Sequence, residues 1–269
     1  MKIAIIDGDV LCYHACPPRW SSDTPIPLDE DGNRIYPTFT PEQDKIYLEE
    51  AWERLKRNIV SLADSLYCDD YLMAVGGENN FRKVIYPEYK VSSSRQTKGK
   101  PPNLIVPALR ELCVLEEYAI AAHGCEADDY IRTWALQARR DNIDYIICSI
   151  DKDLQCIPGT HYFMHKGKEQ IIEISEFEAE RFFYQQLLQG DSVDNIPGIP
   201  GIGPVKAKKA LEDITFIPDL QEAVVSMYLE FYGDEWYEYL LANGRLLYIS
   251  AESEDFFNPD EWPIVKELL

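Results

Sequence analysis

The residues best placed to do chemistry are acids. Asp7 and Asp9 follow the short apolar run Ile3–Ile6. Glu126, Asp128 and Asp129 fall together in Glu-Ala-Asp-Asp. Asp151 and Asp153 end Ser-Ile-Asp-Lys-Asp, and Asp191 and Asp194 stand three apart in Gly-Asp-Ser-Val-Asp-Asn. Each group has a plain reading by itself. Acids at a helix start serve as caps and dipole partners, an Asp-x-Asp loop can simply be solvated, and on a helix the 191/194 spacing puts both acids on one surface face. Their conjunction says more. Ionised carboxylates that converge repel, and without counter-charge they protonate or splay apart. Divalent cations supply that charge, and oxygen donors without Cys or His suit Mg²⁺ or Mn²⁺. Two such ions about 4 Å apart can orient a water and stabilise both oxygens of an in-line phosphodiester displacement.

Two further segments carry charge in a pattern. Between Asn79 and Arg110 there are seven basic residues (Arg82, Lys83, Lys90, Arg95, Lys98, Lys100, Arg110) and one acid, Glu88. Such an island is either a solvated basic loop or a segment that tracks phosphates. The stretch Ile196–Ala210, with Gly198, Gly201 and Gly203 followed by Lys206, Lys208 and Lys209, resembles a helix-hairpin-helix turn. Its glycines let backbone approach a phosphate, and a helix start presents free N–H groups. That is sequence-independent backbone binding. A structural Gly/Pro turn is the alternative. Carbonyls of such a turn could also take a monovalent cation, K⁺.

These residues need elements to hold them. Apolar runs predict strands at Ile3–Ile6, Tyr71–Val75, Tyr118–Ala122 and Asp144–Ile150, with further strands at His161–Met164 and Gln170–Ile174. Thr40, Pro41 and Gln43 mark a capped helix start, and Trp52, Leu55, Ile59, Leu62 and Leu66 follow helical spacing. Leu104–Leu115, Ala127–Arg139 and Phe177–Leu188 read as helices, the last preceded by the capping pair Ser175 and Glu178. Pro17–Pro41 reads as a long loop or a small hairpin around Asp31-Gly32-Asn33. Alternating strands and helices predict an α/β fold: a mainly parallel central sheet flanked by helices, followed by a C-terminal helical region. In such sheets ligands bind beyond the carboxyl ends of the strands, where these acids fall.

Composition sets the outer bounds. The chain has 269 residues, 26 Lys+Arg against 47 Asp+Glu, and a formal charge of −21, which argues against a non-specific nucleic-acid coat. The apolar runs are far shorter than the roughly 20 residues of a membrane span, and the start lacks a signal-peptide pattern. Seven cysteines without a CxxC pair predict reduced, mostly buried thiols of a cytoplasmic protein rather than a zinc site.

Taken in order, the motifs resemble the phage and bacterial 5′→3′ exonuclease/flap endonuclease family, nearest in form to the compact phage replication exonucleases. They are Ile5-Ile6-Asp7-Gly8, Phe81-Arg82-Lys83 with Pro87-Glu88-Tyr89-Lys90, Glu126-Ala127-Asp128-Asp129, Ser149-Ile150-Asp151-Lys152-Asp153, and Gly190-Asp191 through Asp194-Asn195 into the glycine hairpin. The resemblance spans about residues 3 to 211. It implies a PIN-like catalytic domain over 1–175 with an arch at about 79–110, and a helix-hairpin-helix domain over 176–269. It implies two Mg²⁺ ions, with Mn²⁺ as a substitute. Asp7, Glu126, Asp128 and Asp151 or Asp153 would hold the tighter ion or its waters, and Asp191 and Asp194 would support the second. Asp129 matches the same acid set.

The resemblance further implies that Tyr89 stacks on a terminal base and that Lys90 contacts the scissile phosphate. Arg82 and Lys83 would share a phosphate track with Arg95, Lys98 and Lys100. The expected substrate is DNA with a 5′ flap, nick or end, or an RNA–DNA hybrid, cut by a monomer in replication. A lapsed enzyme that only binds DNA and an RNA-directed relative are the rival readings. Two positions depart from the family pattern. Val75-Gly76-Gly77-Glu78 stands where an acid commonly follows the second strand, with Glu78 the candidate substitute for Gly77. Ser93 stands where an Arg often follows the arch Lys, with Arg95 two residues on.

Overall fold

A computed structural model describes residues 1–16, 27–30, 38–91, 104–165, 167–251 and 255–269. Strand β1 (Lys2–Asp7) lies mid-sheet. Four consecutive residues of it are buried, because helices cover both of its faces. It pairs in parallel with β2 (Asp70–Glu78) and β4 (Asp144–Ser149), with Ile5 level with Leu72 on one side and Ile147 on the other. Strand β3 (Ile120–His123) lies outside β2. Strand β5 (Gly159–Phe163) runs parallel to β4, and β6 (Gln170–Ile174) closes the edge antiparallel. The order β3-β2-β1-β4-β5-β6 is the mixed, mainly parallel sheet expected from the alternating elements. Strand β3 starts two residues later than its apolar run suggested. The Tyr118 and Ala119 amides still donate back to the Cys113 carbonyl, closing the preceding helix.

One face of the sheet carries α1 (Gly8–Ala15), α2 (Pro41–Ser65) and α4 (Ile105–Leu115), which bury Leu11, Leu55, Ile59 and Leu109 against Ala4 and Ile6. Helix α2 starts as its sequence predicts. Thr40 accepts the Gln43 N–H, and the Gln43 side chain accepts the Thr40 N–H in return. The short α3 (Arg82–Ile85) sits between β2 and α4. The other face carries α5 (Ala127–Arg140), whose Ile131 and Ala135 pack on Ile5, Ala74 and Ile147.

The chain then becomes helical: α6 (Glu176–Gln189), α7 (Pro204–Leu211), α8 (Ile217–Tyr232), α9 (Trp236–Leu247) and α10 (Pro263–Leu268). These helices share a second core that includes Phe183, Leu187, Val224, Tyr228 and Leu240. This part is laced to the sheet. Residues 248–251 return along α5, where Arg132 donates to the Ile249 carbonyl and to the Tyr248 hydroxyl. The hairpin expected around Asp31–Asn33 lies outside the described residues.

Candidate active site

The carboxyl ends of β1, β3 and β4 open into a cleft of about 710 Å³, lined by Asp7, Asp9, Glu126, Asp128 and Asp151. Asp7 ends β1 and caps α1, accepting the Asp9 and Val10 N–H groups at 3.1 and 3.3 Å. The start of α1 can pass this close to β2 because residue 8 is Gly. A Cβ at that position would lie 2.6 Å from the Ala74 carbonyl. The other Asp7 oxygen accepts the Ser149 hydroxyl at 2.7 Å, and Ser149 Oγ accepts the Asp151 N–H at 2.9 Å. The ends of β1 and β4 are thereby tied. Burial pushes the Asp7 carboxyl up to about 6, the Ser149 bond opposes it, and the charges of Asp9 and Asp151 add to the rise. Asp128 is raised well above the usual range by burial, then by Asp7, Asp151 and Glu126.

A second group adjoins the first. Asp151 caps a short 3₁₀ turn, Lys152–Cys156, and accepts the Asp153 N–H at 2.9 Å. Asp153 accepts Gln186 Nε2 of α6 at 2.8 Å. Burial and then Asp151 push the Asp153 carboxyl up to about 7. The Lys152 ammonium reaches both groups, 3.8 Å from Asp153 Oδ1 and 4.0 Å from Asp191 Oδ2. Lys90 plays the same part opposite. Its backbone sits at φ +60° and donates to the Asp194 carbonyl at 2.8 Å, while its ammonium pairs with Glu126 and lies 3.6 Å from Asp194 Oδ2. Burial works against the Lys90 charge, but Glu126 and Asp194 outweigh it and raise its pKa.

Among the described residues no three carboxylates are gathered tightly enough to hold a metal ion directly. The donor set still fits a hard divalent cation. Its carboxylates offer oxygen donors and crowd negative charge, and burial pushes Asp7, Asp128 and Asp153 above the usual carboxylate range. Mg²⁺ keeps several of its waters and needs few direct protein ligands.

Residues 41–183 match the family described as the 5′-3′ exonuclease, N-terminal resolvase-like domain. The chain belongs to this family. It is 33% identical over 241 residues to DNA polymerase I of Bacillus caldotenax, covering 83% of this chain and 24% of that protein. It is 31% identical over 158 residues to the flap endonuclease Xni of Shewanella baltica strain OS185, covering 54% of this chain and 57% of that one. The chain thus spans a quarter to little more than half of these relatives. A structure of the bacteriophage T5 5′-exonuclease with bound zinc superposes at a TM-score of 0.55 with 17% identity, over 92% of this chain and 96% of that one. That likeness shows the shared fold.

In this exonuclease domain several expected site residues are otherwise engaged. Arg82 is 2% exposed and does not line a phosphate track. Its guanidinium donates to both Asp129 oxygens at 2.8 and 2.9 Å and to the Leu246 and Tyr248 carbonyls at 3.0 and 2.6 Å. Asp129 also accepts the Glu126 and Ser250 N–H groups, so no oxygen is left over for a cation. Tyr89, expected to stack on a base, is 2% exposed within the helical core. Its hydroxyl stands 2.9 Å from Glu126 Oε2 and 3.2 Å from Asp194 Oδ2. Asp191 and Asp194 do not share a helix face. They flank a tight turn in which the Asp191 carboxylate accepts the Val193 and Asp194 N–H groups at 2.6 and 3.2 Å.

The glycines divide in the same way. Gly198 packs on Gly190, and a Cβ on it would fall 2.2 Å from the Gly190 nitrogen. Gly201 and Gly203 face open space. Lys206, Lys208 and Lys209 are exposed on α7, and Lys206 donates to the Gly201 carbonyl at 2.9 Å. Gly77 faces β3, with its Cβ position 1.8 Å from the Ala122 carbonyl, and Glu78 is exposed away from the cleft lining. Lys83 lines the cleft. Arg95, Lys98, Lys100 and Ser93 lie outside the described residues. Sequence reasoning missed the supporting roles of Ser149 and Gln186, and it placed Asp9 beside Asp7 after β1 without giving it a role. An Asp-x-Asp pair after β1 was the available signal for Asp9.

Proposed function

We propose that the chain is a divalent-metal-dependent 5′→3′ nuclease that cuts DNA near a 5′ end or at a single-strand/duplex junction, in primer or flap removal during replication. The observation that carries this is the meeting of Asp7, Glu126, Asp128 and Asp151 at the ends of three strands in one cleft, in a chain that also carries a lysine-bearing glycine hairpin. Asp7, Asp128 and Asp151, with Glu126 or Asp153, would hold one Mg²⁺ or its waters. Asp191 and Asp194 would support a second. Bound ions supply charge neutralisation and a more acidic water.

The chain's own residues do the rest. Ser149 and the α1 N–H groups fix the orientation of Asp7. Lys90, released from Glu126 and Asp194 once their charge is otherwise met, donates to the scissile phosphate. Lys83 attracts the strand at the rim, and the N–H groups at Gly201 and Gly203 with the α7 lysines hold duplex backbone. K⁺ at this turn would compete with Lys206 for the Gly201 carbonyl. The proposed division is a catalytic part over 1–175 and a DNA-holding part over 176–269.

Incubation with a 5′-labelled flap or nicked duplex and Mg²⁺ tests the reading. Cleavage that leaves 3′-OH and 5′-phosphate ends is expected. No cleavage with Mg²⁺ or Mn²⁺ overturns it. Binding without cleavage selects the second reading, a DNA-binding relative with lapsed chemistry, which Gly77 at the cleft end of β2 favours.

A further inference from the structure

Asp9 has an arrangement that helix capping does not account for. It stands in the first turn of α1 and lines the cleft beside Asp7. Its Oδ1 accepts the Gly76 N–H from the end of β2 at 3.0 Å, and Arg110 Nε of α4 lies 2.8 Å from the same oxygen. The α1 backbone and the Gly76 N–H therefore fix one carboxylate, and Arg110 adds a neighbouring charge without a hydrogen bond. Among the described residues Oδ2 accepts no hydrogen bond. It occupies the volume above Gly76, where a Cβ would lie 2.9 Å from it. Gly76 has no positive φ, so its backbone does not require glycine. What lacks room there is a side chain, because a carboxylate from another helix already fills the space.

We propose that Asp9 is a cation-binding residue of the cleft, its carboxylate reaching over Gly76 on the side of the cleft where β2 presents Gly76 and Gly77 and its terminal Glu78 lies outside the lining. The inference rests on the nuclease reading above. Asp9 would meet the ion or its water through Oδ2. The Gly76 N–H holds Oδ1 and sets the direction in which Oδ2 points, while Arg110 is a neighbouring charge. A purely structural Asp9, there to anchor Arg110, is the alternative, and the two readings differ in what Arg110 does. As an anchor partner, Arg110 is needed. As a neighbouring cation, it weakens the site it borders.

Mn²⁺ titration of the whole chain, read by calorimetry or by the spin resonance of free Mn²⁺, separates them. Asp9→Asn keeps an acceptor for Gly76 and loses the charge, and its Mn²⁺ Kd is expected to rise about tenfold. Gly76→Ala places a methyl against Oδ2 and leaves every acid in place. It is expected to weaken Mn²⁺ in the same direction with an unchanged far-ultraviolet spectrum, which keeps the test open if Asp9→Asn folds poorly. Arg110→Met is expected to leave the Kd unchanged or lower it. A wild-type Kd in folded Asp9→Asn or Gly76→Ala overturns the inference. So does Arg110→Met weakening Mn²⁺ as much as Asp9→Asn. Wild-type protein that cleaves a flap while Asp9→Asn binds Mn²⁺ normally would defeat the Asp9 assignment alone. Wild-type protein that binds no Mn²⁺ would defeat the nuclease reading and this inference together.

Discussion

Arg82 and Asp129 form a buried, two-pronged ion pair, with Nη1 2.8 Å from Oδ2 and Nη2 2.9 Å from Oδ1. The pair joins α3 to the start of α5, and each partner also binds backbone near the C-terminal return, at Leu246, Tyr248 and Ser250. A basic residue and an acid that look like phosphate and metal binders in the sequence thus neutralise one another inside the protein.

Arg82→Met should destabilise the protein by about 3–5 kcal/mol, because it leaves the Asp129 charge buried without a partner. Urea unfolding measures this. Arg82→Lys should recover little, since an ammonium cannot make the parallel bonds of a guanidinium. If Arg82→Met keeps wild-type stability while flap binding falls, Arg82 belongs to the phosphate track after all.

The raised Asp153 carboxyl sets the sign of a pH effect. Its folded value of about 7 lies above the ordinary aspartate value of 3.8. The unfolded chain therefore loses this proton first as pH rises, and the stability Asp153 contributes is present below about pH 4 and gone above about pH 7. Without metal, Asp153→Asn should melt increasingly above wild type as pH goes from 4 to 7.5. Mg²⁺ should shrink that advantage by stabilising the wild-type native state. Thermal melts at several pH values check this, and a difference that does not change with pH refutes it.

Lys90 occupies the position between Glu126 and Asp194 that a cation would contest. Lys90→Met should lower flap cleavage about 100-fold, the loss typical of one donor to developing charge. The same change should leave Mn²⁺ affinity equal or tighter, because a competing ammonium is gone. Lost cleavage accompanied by weaker Mn²⁺ binding would show instead that Lys90 organises the carboxylates.

The acids were legible because strand ends and helix starts are local features. Apolar runs located β1, β4 and α5, so Asp7, Asp151 and Glu126 could be put on one rim before any contact was known. The capping pairs Thr40/Gln43 and Ser175/Glu178 were legible for the same reason, since three residues of chain decide them. The turn at Asp191–Asn195 was not. A three-residue spacing suits a helix equally well, and here reciprocal bonds between Asp191 and Ile196 close the turn instead.

Sequence alone determined the alternation of strands and helices, the acids at their ends and the lysines after the glycine hairpin. Each of these follows from the periodicity or chemistry of neighbouring residues. Tertiary structure decided which charges are spent inside. Arg82 and Asp129 are 47 residues apart, Asp9 and Gly76 are 67, and Asp7 and Ser149 are 142. A charged side chain becomes a support or a cleft residue according to what meets it on burial, and such meetings are fixed by packing across the sheet rather than by spacing along the chain.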